Sequence, residues 1–591
     1  MPVKVPPAPS TQDGATLPAA FRGEAELIVV STPAAGLRAT LEGLQSVRRA
    51  PVAPLTTLLG ESAAELRPVF GLEEVAAAKA RRATEVSGIE VPDLSLFYRV
   101  QLPDGTPAEA RDRVFARLLD RLAGEKAIDG VYVKPPTIPP LWRLDYAVDV
   151  DNLKLFDVFE RFTSRQGYLD PAPGGVDARW AWTQTGGRGD GVQIIDIEGN
   201  WRFTHEDLTA NQGGVVAGTR LDDVIDWRNH GTAVLGEISG DQNLFGITGI
   251  APNANIRTIS HGGIGSSSAI RQSADLLSPG DLILLEMHRP GPLHDFASRN
   301  DQDGYIAVEW WEDDFAAIRY AVARGIVVVE AAGNGAQDLD GRLYETRPSG
   351  FPSGWTNPFR RANRDSGAIV VGAGAPPVGT HGFTWGNDRS RLGFSNWGAL
   401  VDAQGWGGGV TTTGYGDLQG GTDEDRWYTD DFGGTSSASP IVTGALAATQ
   451  GVLKARGRIP LSPARARALL RSTGSAQQDE PSRPATQRIG NLPDLRSLVP
   501  EALRTVNHTG TQFTGSLAAG QTARWFTFGW PAHWHVYWTV VPTIPRNGVR
   551  QLRWKVQVER ASDATITYWI EITNLTSASI DVEARFAVLG Q

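Results

Sequence analysis

The chain has 591 residues, which is too long for one compact domain and predicts two to four. Its 56 Lys and Arg residues against 66 Asp and Glu residues give a net charge of -10, which provides no basic surface for nucleic acid. No window of the sequence is long and apolar enough to predict a membrane span. Cysteine is absent, so disulfides and thiolate metal sites are excluded, and the redox compartment is left open.

The first 21 residues are rich in Pro, Ala and Ser and are predicted to be a disordered lead-in. They contain no apolar segment of the kind found in a secretory signal peptide. Three interpretations of localisation stay open: a signal removed from this chain, release by a non-standard route, or retention in the cytoplasm.

Residues 22–135 are predicted to form a small α+β domain. The pattern predicts strands at 25–30, 94–100 and 130–134 and helices at 36–44 and 107–122. Residues 136–165 are predicted to be a linker, which follows Pro135 and begins with the Pro-rich, extended segment Pro136-Thr137-Ile138-Pro139-Pro140.

Residues 166–497 alternate short apolar strands with helical stretches, which predicts an α/β domain with a mainly parallel sheet flanked by helices. The strands are β-branched and apolar on both faces, as strands buried between two helical layers must be. The predicted strands are 191–195, 255–260, 281–287, 325–331 and 368–372.

Residues 505–591 alternate with a period of two and predict an all-β sandwich. Its tryptophans are interpreted mainly as core, with a binding face as the alternative. His533 and His535 flank Trp534, but two histidines without a third ligand are weak evidence for a metal site.

Four segments carry candidate catalytic residues. An apolar run ends in Asp196, and a helix rich in small residues begins near His230 and continues with Gly231-Thr232. A buried-type strand leads through Ala331-Ala332-Gly333 to Asn334, and Gly433-Gly434-Thr435 precedes Ser436 at the start of another helix. The order Asp, His, Asn, Ser resembles that of the subtilases, the subtilisin-like serine peptidases.

The resemblance implies that Ser436 is the nucleophile, His230 the general base and Asp196 the group that orients His230. It implies that the Asn334 amide helps to bind the oxyanion. It also implies that the N-terminal domain is a prodomain whose tail lies across the active site and inhibits the enzyme. Ser437 and His205 are the competing candidates, and both are interpreted as structural.

Two departures from the family pattern stand out. Ile197-Glu198-Gly199 follows Asp196, and the turn from Asp196 to His205 is longer than usual, which we interpret as an insertion that leaves the role of Glu198 open. Glu286, Met287 and His288 occupy the strand that would bind the substrate backbone. Met287 is expected to supply an apolar wall and His288 to narrow or polarise the pocket, which predicts restricted specificity.

The resemblance requires no cofactor for the chemistry and makes structural calcium possible. Acidic loops are available, but none has complete ligand spacing. They lie at Asp301-Gln302-Asp303, Asp338-Leu339-Asp340 and Asp423-Glu424-Asp425.

The sequence therefore predicts a serine endopeptidase made as a zymogen, with protein or peptide substrates. The alternative is a catalytically weak scaffold of the same fold that binds a protein or a glycan.

Overall fold

The computed structural model describes residues 24–40, 42–142, 161–221, 225–504 and 506–589. The predicted lead-in at 1–21 and most of the predicted linker, 143–160, lie outside the described residues. No helix in the described part of the chain is long and apolar enough to cross a membrane.

The N-terminal domain is an antiparallel sheet of order β4-β5-β1-β6 covered by three helices. Its elements are β1 Glu26–Ser31, β2 Leu37–Thr40, β3 Gly43–Ser46, α1 Ala53–Gly60, β4 Glu65–Pro68, α2 Glu73–Ser87, β5 Phe97–Gln101, α3 Ala108–Leu122 and β6 Ile128–Lys134.

The helix predicted at 36–44 is wrong, because this segment forms the β2–β3 hairpin. Gly43 has a φ of +109°, a conformation that favours glycine and closes the turn between the two strands. The sequence pattern also missed α2, whose buried face consists mainly of alanines.

Strand β1 joins the N-terminal domain to the rest of the molecule. Leu27 and Val29 pack in the core of the N-terminal domain, whereas Ile28 and Val30 belong to a core that contains residues of the following domain. Because side chains alternate across a strand, the sheet has one face in each core. The N-terminal domain is thus held by apolar packing as well as by polar contacts.

A buried ion cluster reinforces this interface. Lys134, at the end of β6, is fully buried, and its Nζ pairs with Asp313 and, at 2.9 Å, with Asp314 Oδ1. The Tyr132 hydroxyl lies 2.9 Å from Asp313 Oδ1, and Arg289 Nη2 lies 3.5 Å from Asp314 Oδ2. Buried charges are tolerated only when they are paired, so the cluster fixes how β6 meets the second domain.

The second domain is built around a parallel seven-stranded sheet of order β15-β14-β13-β10-β7-β9-β8. Its strands and those that flank it are β7 Gln193–Glu198, β8 Gln212–Ala217, β9 Asn255–Ser260, β10 Leu282–Leu285, β11 His288–Pro290, β12 Tyr305–Ala307, β13 Val327–Ala331, β14 Ile369–Gly374, β15 Val401–Trp406, β16 Val410–Thr413 and β17 Tyr428–Phe432. Its helices are α4 Ala178–Ala181, α5 Ile225–Ser239, α6 Ser266–Leu276, α7 Glu312–Ala323, α8 Thr435–Ala455, α9 Pro463–Ser472 and α10 Leu495–Leu503.

The predicted fold class of this domain is confirmed. Each of the five predicted strands overlaps an observed strand of the sheet, and β10 and β13 are buried along their whole length. Strand β7 runs to Glu198, three residues beyond the predicted end. That extension changes the identity of the side chain at the carboxyl end of the strand, where open α/β sheets place their functional groups.

The C-terminal part is all-β and antiparallel, as predicted. Its strands are β18 Val506–Leu517, β19 Thr522–Pro531, β20 His535–Pro542, β21 Leu552–Arg560, β22 Thr565–Asn574 and β23 Ile580–Leu589, in sheets of order β18-β23-β20 and β19-β22-β21. Trp530 and Trp538 are buried between the sheets, whereas Trp554 is 37% exposed. Most of this tryptophan set is therefore core or partly buried against it.

Candidate active site

Glu198 and His230 form the central contact of the site. His230 lies on α5 and is fully buried, and its Nδ1 is 2.7 Å from Glu198 Oε2. A carboxylate only accepts hydrogen bonds, so Nδ1 carries the proton and Nε2 is left with its lone pair. Burial lowers the pKa of His230 to about 3, and the nearby Asp196 opposes this shift. The ring is therefore a neutral imidazole in this state.

The expectation that Asp196 orients His230 is wrong in this structure. Asp196 Oδ2 instead accepts a 2.6 Å hydrogen bond from Trp201 Nε1. Asp196 and Glu198 are two residues apart on β7 and share one face of the strand, so the longer strand places Glu198 nearer the helix. Counting from Glu198 also shortens the turn to His205 by two residues, so no insertion is needed.

The two carboxyl groups on β7 influence each other. Burial raises the pKa of Asp196 well above its usual range, and the adjacent Glu198 raises it further. Burial raises the pKa of Glu198 well above its usual range too, and only its hydrogen bond with Asp196 acts in the lowering direction. Two buried carboxyls in contact share one proton, which these directions place on Asp196. Glu198 is then the carboxylate that faces His230.

Ser436 is the second residue of α8 and is fully buried. Its Oγ and His230 Nε2 have no hydrogen-bond partner within the described residues. His230 packs edge-on against Phe432, four residues before Ser436, with ring centroids 5.4 Å apart. The His230 ring therefore contacts the strand that leads to Ser436, and both side chains are buried. Hydrogen bonds between such groups are often long in the absence of a reacting substrate.

The two competing candidates have structural contacts. Ser437 Oγ donates a 2.7 Å hydrogen bond to the carbonyl oxygen of Trp406. His205 Nε2 lies 2.8 Å from the carbonyl oxygen of Trp427, and burial lowers the pKa of His205 to about 4. Neither side chain contacts Glu198.

Asn334 follows β13 and is held against the first turn of α8. Its Oδ1 accepts hydrogen bonds from Thr435 N at 3.0 Å and Thr435 Oγ1 at 2.9 Å. Its Nδ2 donates to Gln302 Oε1 at 3.1 Å. Gly434, with a φ of +101°, faces this amide, and a Cβ at Gly434 would lie 3.1 Å from Asn334 Nδ2. The amide nitrogen is therefore directed at the space beside Gly434.

The three residues after β10 have different environments. Glu286 is fully buried, and neither of its carboxyl oxygens has a hydrogen-bond partner within the described residues. Burial, then the neighbouring Glu198–Asp196 pair, raises the pKa of Glu286 well above its usual value, while the Ser436 hydroxyl acts to lower it. Glu286 is thus a neutral carboxyl group beside Ser436.

Met287 and His288 are also fully buried. Met287 belongs to a hydrophobic core cluster rather than to an open pocket wall. The His288 ring packs on Tyr305 with centroids 4.7 Å apart, and its Nδ1 accepts a 3.3 Å hydrogen bond from Asn334 N. Burial lowers the pKa of His288 well below its usual value, and the neighbouring His230 ring acts in the same direction. His288 therefore contributes a neutral ring beneath Asn334.

The start of the predicted linker occupies the site. Ile138 and His288 form an antiparallel bridge, with Ile138 N to His288 O at 3.2 Å and His288 N to Ile138 O at 3.1 Å. Ser436 N donates to Pro140 O at 3.3 Å, and Trp142 N donates to Gly433 O at 3.2 Å. The chain thus passes over the serine in an extended conformation.

The acidic loops proposed as calcium sites mostly pair with arginines. Arg299 contacts Asp301, Arg360 contacts Asp340, and Arg202 contacts Asp425. Across the described ranges, no group of three or more His, Cys, Asp or Glu side chains is arranged to hold a metal ion.

The similarity to known proteins is concentrated in the second domain. The Subtilase family model matches residues 189–491, just over half of the chain. The chain belongs to the subtilase family. The matched range contains Glu198, His230, Asn334 and Ser436, and it leaves out the N-terminal and C-terminal domains.

Curated subtilases match the chain at low identity. Subtilisin E of Bacillus subtilis (strain 168) is 26% identical over 262 residues, 44% of this chain and 55% of that protein. Subtilisin DY of Bacillus licheniformis is 29% identical over 266 residues, 44% of this chain and 77% of that protein. The chain therefore spans only about half the length of subtilisin E. The structure of fervidolysin from Fervidobacterium pennivorans aligns with 97% of this chain and 71% of that one, at 16% identity and a TM-score of 0.45.

The sequence analysis did not assign several of these residues to the site. It left the role of Glu198 open, although the long turn from Asp196 to His205 indicated that the acid could lie later in the strand. The resemblance also implied that the linker crosses the active site, but not which residues flank the serine. Gln302 gave no sign of its role, because its position depends on contacts distant in the sequence.

Proposed function

We propose that this subtilase is a serine endopeptidase in which Glu198, His230 and Ser436 act as the catalytic triad. The observation that carries the proposal is the 2.7 Å contact between Glu198 Oε2 and His230 Nδ1, with the His230 ring packed against Phe432 shortly before Ser436. Family membership supports the same reaction class.

The chemistry follows from these protonation states. With Nδ1–H donated to Glu198, His230 Nε2 accepts the Ser436 proton as Oγ attacks the scissile carbonyl. Glu198 stabilises the imidazolium that forms, and His230 then gives the proton to the leaving amine. Water hydrolyses the resulting ester on Ser436 by the same route, with His230 again acting as base. Asp196 is a positioning residue, because it holds Glu198 without touching the histidine.

Hydrogen-bond donors are needed to stabilise the negative charge on the oxygen of the tetrahedral intermediate. Ser436 N already donates to a carbonyl oxygen, that of Pro140. The Asn334 amide is the second donor in the proposal, and its movement from Gln302 towards the oxyanion would supply it. Loss of one such donor costs about 3 kcal/mol of transition-state stabilisation.

We also propose that the chain is made as a zymogen. The segment from Ile138 to Trp142 fills the cleft, and the N-terminal domain that precedes it is fixed to the second domain by the Lys134 ion cluster. A protein substrate cannot reach Ser436 while this segment is in place. The N-terminal domain is then an intramolecular inhibitor until the segment is cut or displaced.

Restricted specificity is the third part of the proposal. The buried His288 ring lies under Asn334, close to the segment that pairs with the His288 backbone. A bulky neutral ring at this place limits which side chains fit before the cut bond. Efficient cleavage after many unrelated residues in a peptide screen would contradict this part.

The test is hydrolysis of fluorescein-labelled casein by the full chain, before and after trypsin has digested the N-terminal domain. Trypsin is then removed with an immobilised inhibitor. We expect activity to rise when the segment over Ser436 is cut or removed, to be absent in Ser436→Ala and to persist in Ser437→Ala. Equal activity in the wild type and Ser436→Ala would contradict the proposal.

A further inference from the structure

The segment in the cleft is bonded on both sides of Ser436. Before the serine, Ile138 makes two backbone hydrogen bonds with His288. After it, Leu141 forms a bridge with Gly434, and Gln302 Nε2 donates to Leu141 O at 2.9 Å. Such antiparallel pairing fixes the register of a bound peptide to one residue.

That register identifies one peptide bond. The carbonyl oxygen that accepts from Ser436 N is that of Pro140, so Pro140 supplies the acyl group of the bond presented to the serine. The bond that follows this carbonyl is Pro140–Leu141. A Cβ at Gly434 would lie 2.1 Å from Pro140 O, so the approach of this carbonyl requires glycine there.

The residue before that bond is a buried proline. Pro139 and Pro140 are both buried, and proline fixes φ near the extended value needed in the cleft. A preformed conformation reduces the entropy lost when the segment binds. Proline has no backbone N–H, so the site need not provide an acceptor for this residue.

The residue two positions after the bond is an anchored tryptophan. The Trp142 ring stacks on Phe394 at a centroid distance of 5.2 Å and an angle of 21°, and meets Trp385 edge-on at 5.3 Å. Both partners are more than 240 residues away in the sequence and belong to the second domain. Aromatic pairs in these arrangements favour another aromatic ring over an aliphatic side chain.

We propose that this cleft selects peptides that are cut after proline and carry an aromatic residue two positions beyond the cut, and that its own first substrate is the Pro140–Leu141 bond. The inference rests on the proposed serine peptidase function. Ser436 Oγ forms an ester with the Pro140 carbonyl, and the amine of Leu141 leaves with the proton from His230. Water then hydrolyses the ester to give the Pro140 carboxylate and restores Ser436.

The first test is self-cleavage of the full chain, followed by intact mass and N-terminal sequencing. We expect a new N-terminus at Leu141 in the wild type and none in Ser436→Ala. Pro140→Ala should slow cleavage about tenfold or more, because it removes two methylenes from a fitted site. Pro136→Ala, outside the bonded segment from Ile138 to Trp142, is the matched control and should cleave at the wild-type rate.

The second test uses the self-cleaved protein and peptides added in solution. A quenched peptide containing Ile-Pro-Pro-Leu-Trp should have a kcat/KM about tenfold above its Ile-Pro-Ala-Leu-Trp and Ile-Pro-Pro-Leu-Ala counterparts. Replacing the last residue by Phe should restore most of the rate. In Trp385→Ala, the advantage of Trp over Ala at that position should shrink, while the advantage of Pro over Ala remains.

The outcomes separate this inference from the function on which it rests. A first cut at another bond, or faster cleavage in Pro140→Ala, would overturn the inference while the serine peptidase proposal stands. The same holds if Ser436 reacts with a fluorophosphonate but the Pro140–Leu141 bond stays intact. A folded chain that neither cuts itself nor reacts with the probe, even after trypsin has digested the N-terminal domain, would overturn both.

Discussion

Glu198 Oε2 lies 2.7 Å from His230 Nδ1, whereas Asp196, two residues earlier on the same strand, bonds Trp201. Glu198→Gln should therefore reduce kcat about 10⁴-fold, because the amide no longer holds the productive tautomer of His230. Asp196→Asn should reduce it only about tenfold, the cost of one weakened hydrogen bond. The rate of self-cleavage in the two variants measures the difference. If Asp196→Asn lowers the self-cleavage rate more than Glu198→Gln does, Asp196 is the residue that orients His230.

Asn334 is expected to act in the transition state. Asn334→Ala should lower the self-cleavage rate about 10² to 10³-fold, since one oxyanion donor is lost. Gln302→Ala is the comparison, because it removes the present partner of the amide and the hydrogen bond to Leu141 O but leaves the amide itself. If Asn334→Ala and Gln302→Ala lower the rate equally, Asn334 only positions the linker.

Glu286 should make activity fall as the pH rises through its raised pKa. That pKa is raised by burial and by the neighbouring Glu198–Asp196 pair, and Glu237 faces it as well. The group is neutral below this raised pKa and becomes negative as the pH rises through it, which opposes charge development on the oxyanion. Glu286→Gln should keep the rate that the wild type shows at low pH and should remove the fall at higher pH. Identical pH–rate profiles for the wild type and Glu286→Gln would contradict this account.

Glu237 should destabilise the protein as the pH rises. It is fully buried on α5 with no hydrogen-bond partner among the described residues, and burial raises its pKa well above 4.5. Between 4.5 and the raised value the folded state binds more protons than the unfolded state, so its contribution to stability is full at low pH and is lost as the pH rises.

Glu237→Gln should therefore raise Tm by an amount that grows from acidic to neutral pH. Glu109→Gln, on the exposed face of α3, is the control and should leave Tm unchanged. Calorimetry in the Ser436→Ala background measures both, since that background prevents self-cleavage. A constant difference across the pH range would exclude ionisation of Glu237 as the cause.

Lys134 should hold the N-terminal domain in place. Lys134→Met leaves Asp313 and Asp314 buried without their cation, a loss of about 3–5 kcal/mol for a broken buried pair. When Lys134→Met is introduced into the Ser436→Ala chain, thermal unfolding should show the N-terminal domain detaching before the second domain unfolds. Lys126→Met, at an exposed position, is the control. Unchanged unfolding of Lys134→Met would mean that apolar packing of β1 alone holds the interface.

The sequence predicted the central sheet well because buried parallel strands are apolar on both faces, as in β10 and β13. It predicted His230, Asn334 and Ser436 as site residues because each is embedded in a recognisable cluster of small residues. The sequence did not show that Glu198 rather than Asp196 bonds His230, because the two residues lie two positions apart and the end of a strand depends on its neighbours in the sheet. The β2–β3 hairpin was predicted as a helix because the spacing of its apolar residues fits both the helical period and the strand period. The contacts of Trp142 with Phe394 and Trp385 depend on the tertiary fold and leave no local signal.

The most direct test of the triad is the reaction of the full chain with a fluorophosphonate, with the modified residue located by peptide mapping. The N-terminal domain is first digested with trypsin to open the cleft, and trypsin is then removed. The account predicts an adduct on Ser436, none on Ser436→Ala, and a strongly reduced yield in Glu198→Gln but not in Asp196→Asn. An adduct on another residue, or an undiminished yield in Glu198→Gln, would contradict it.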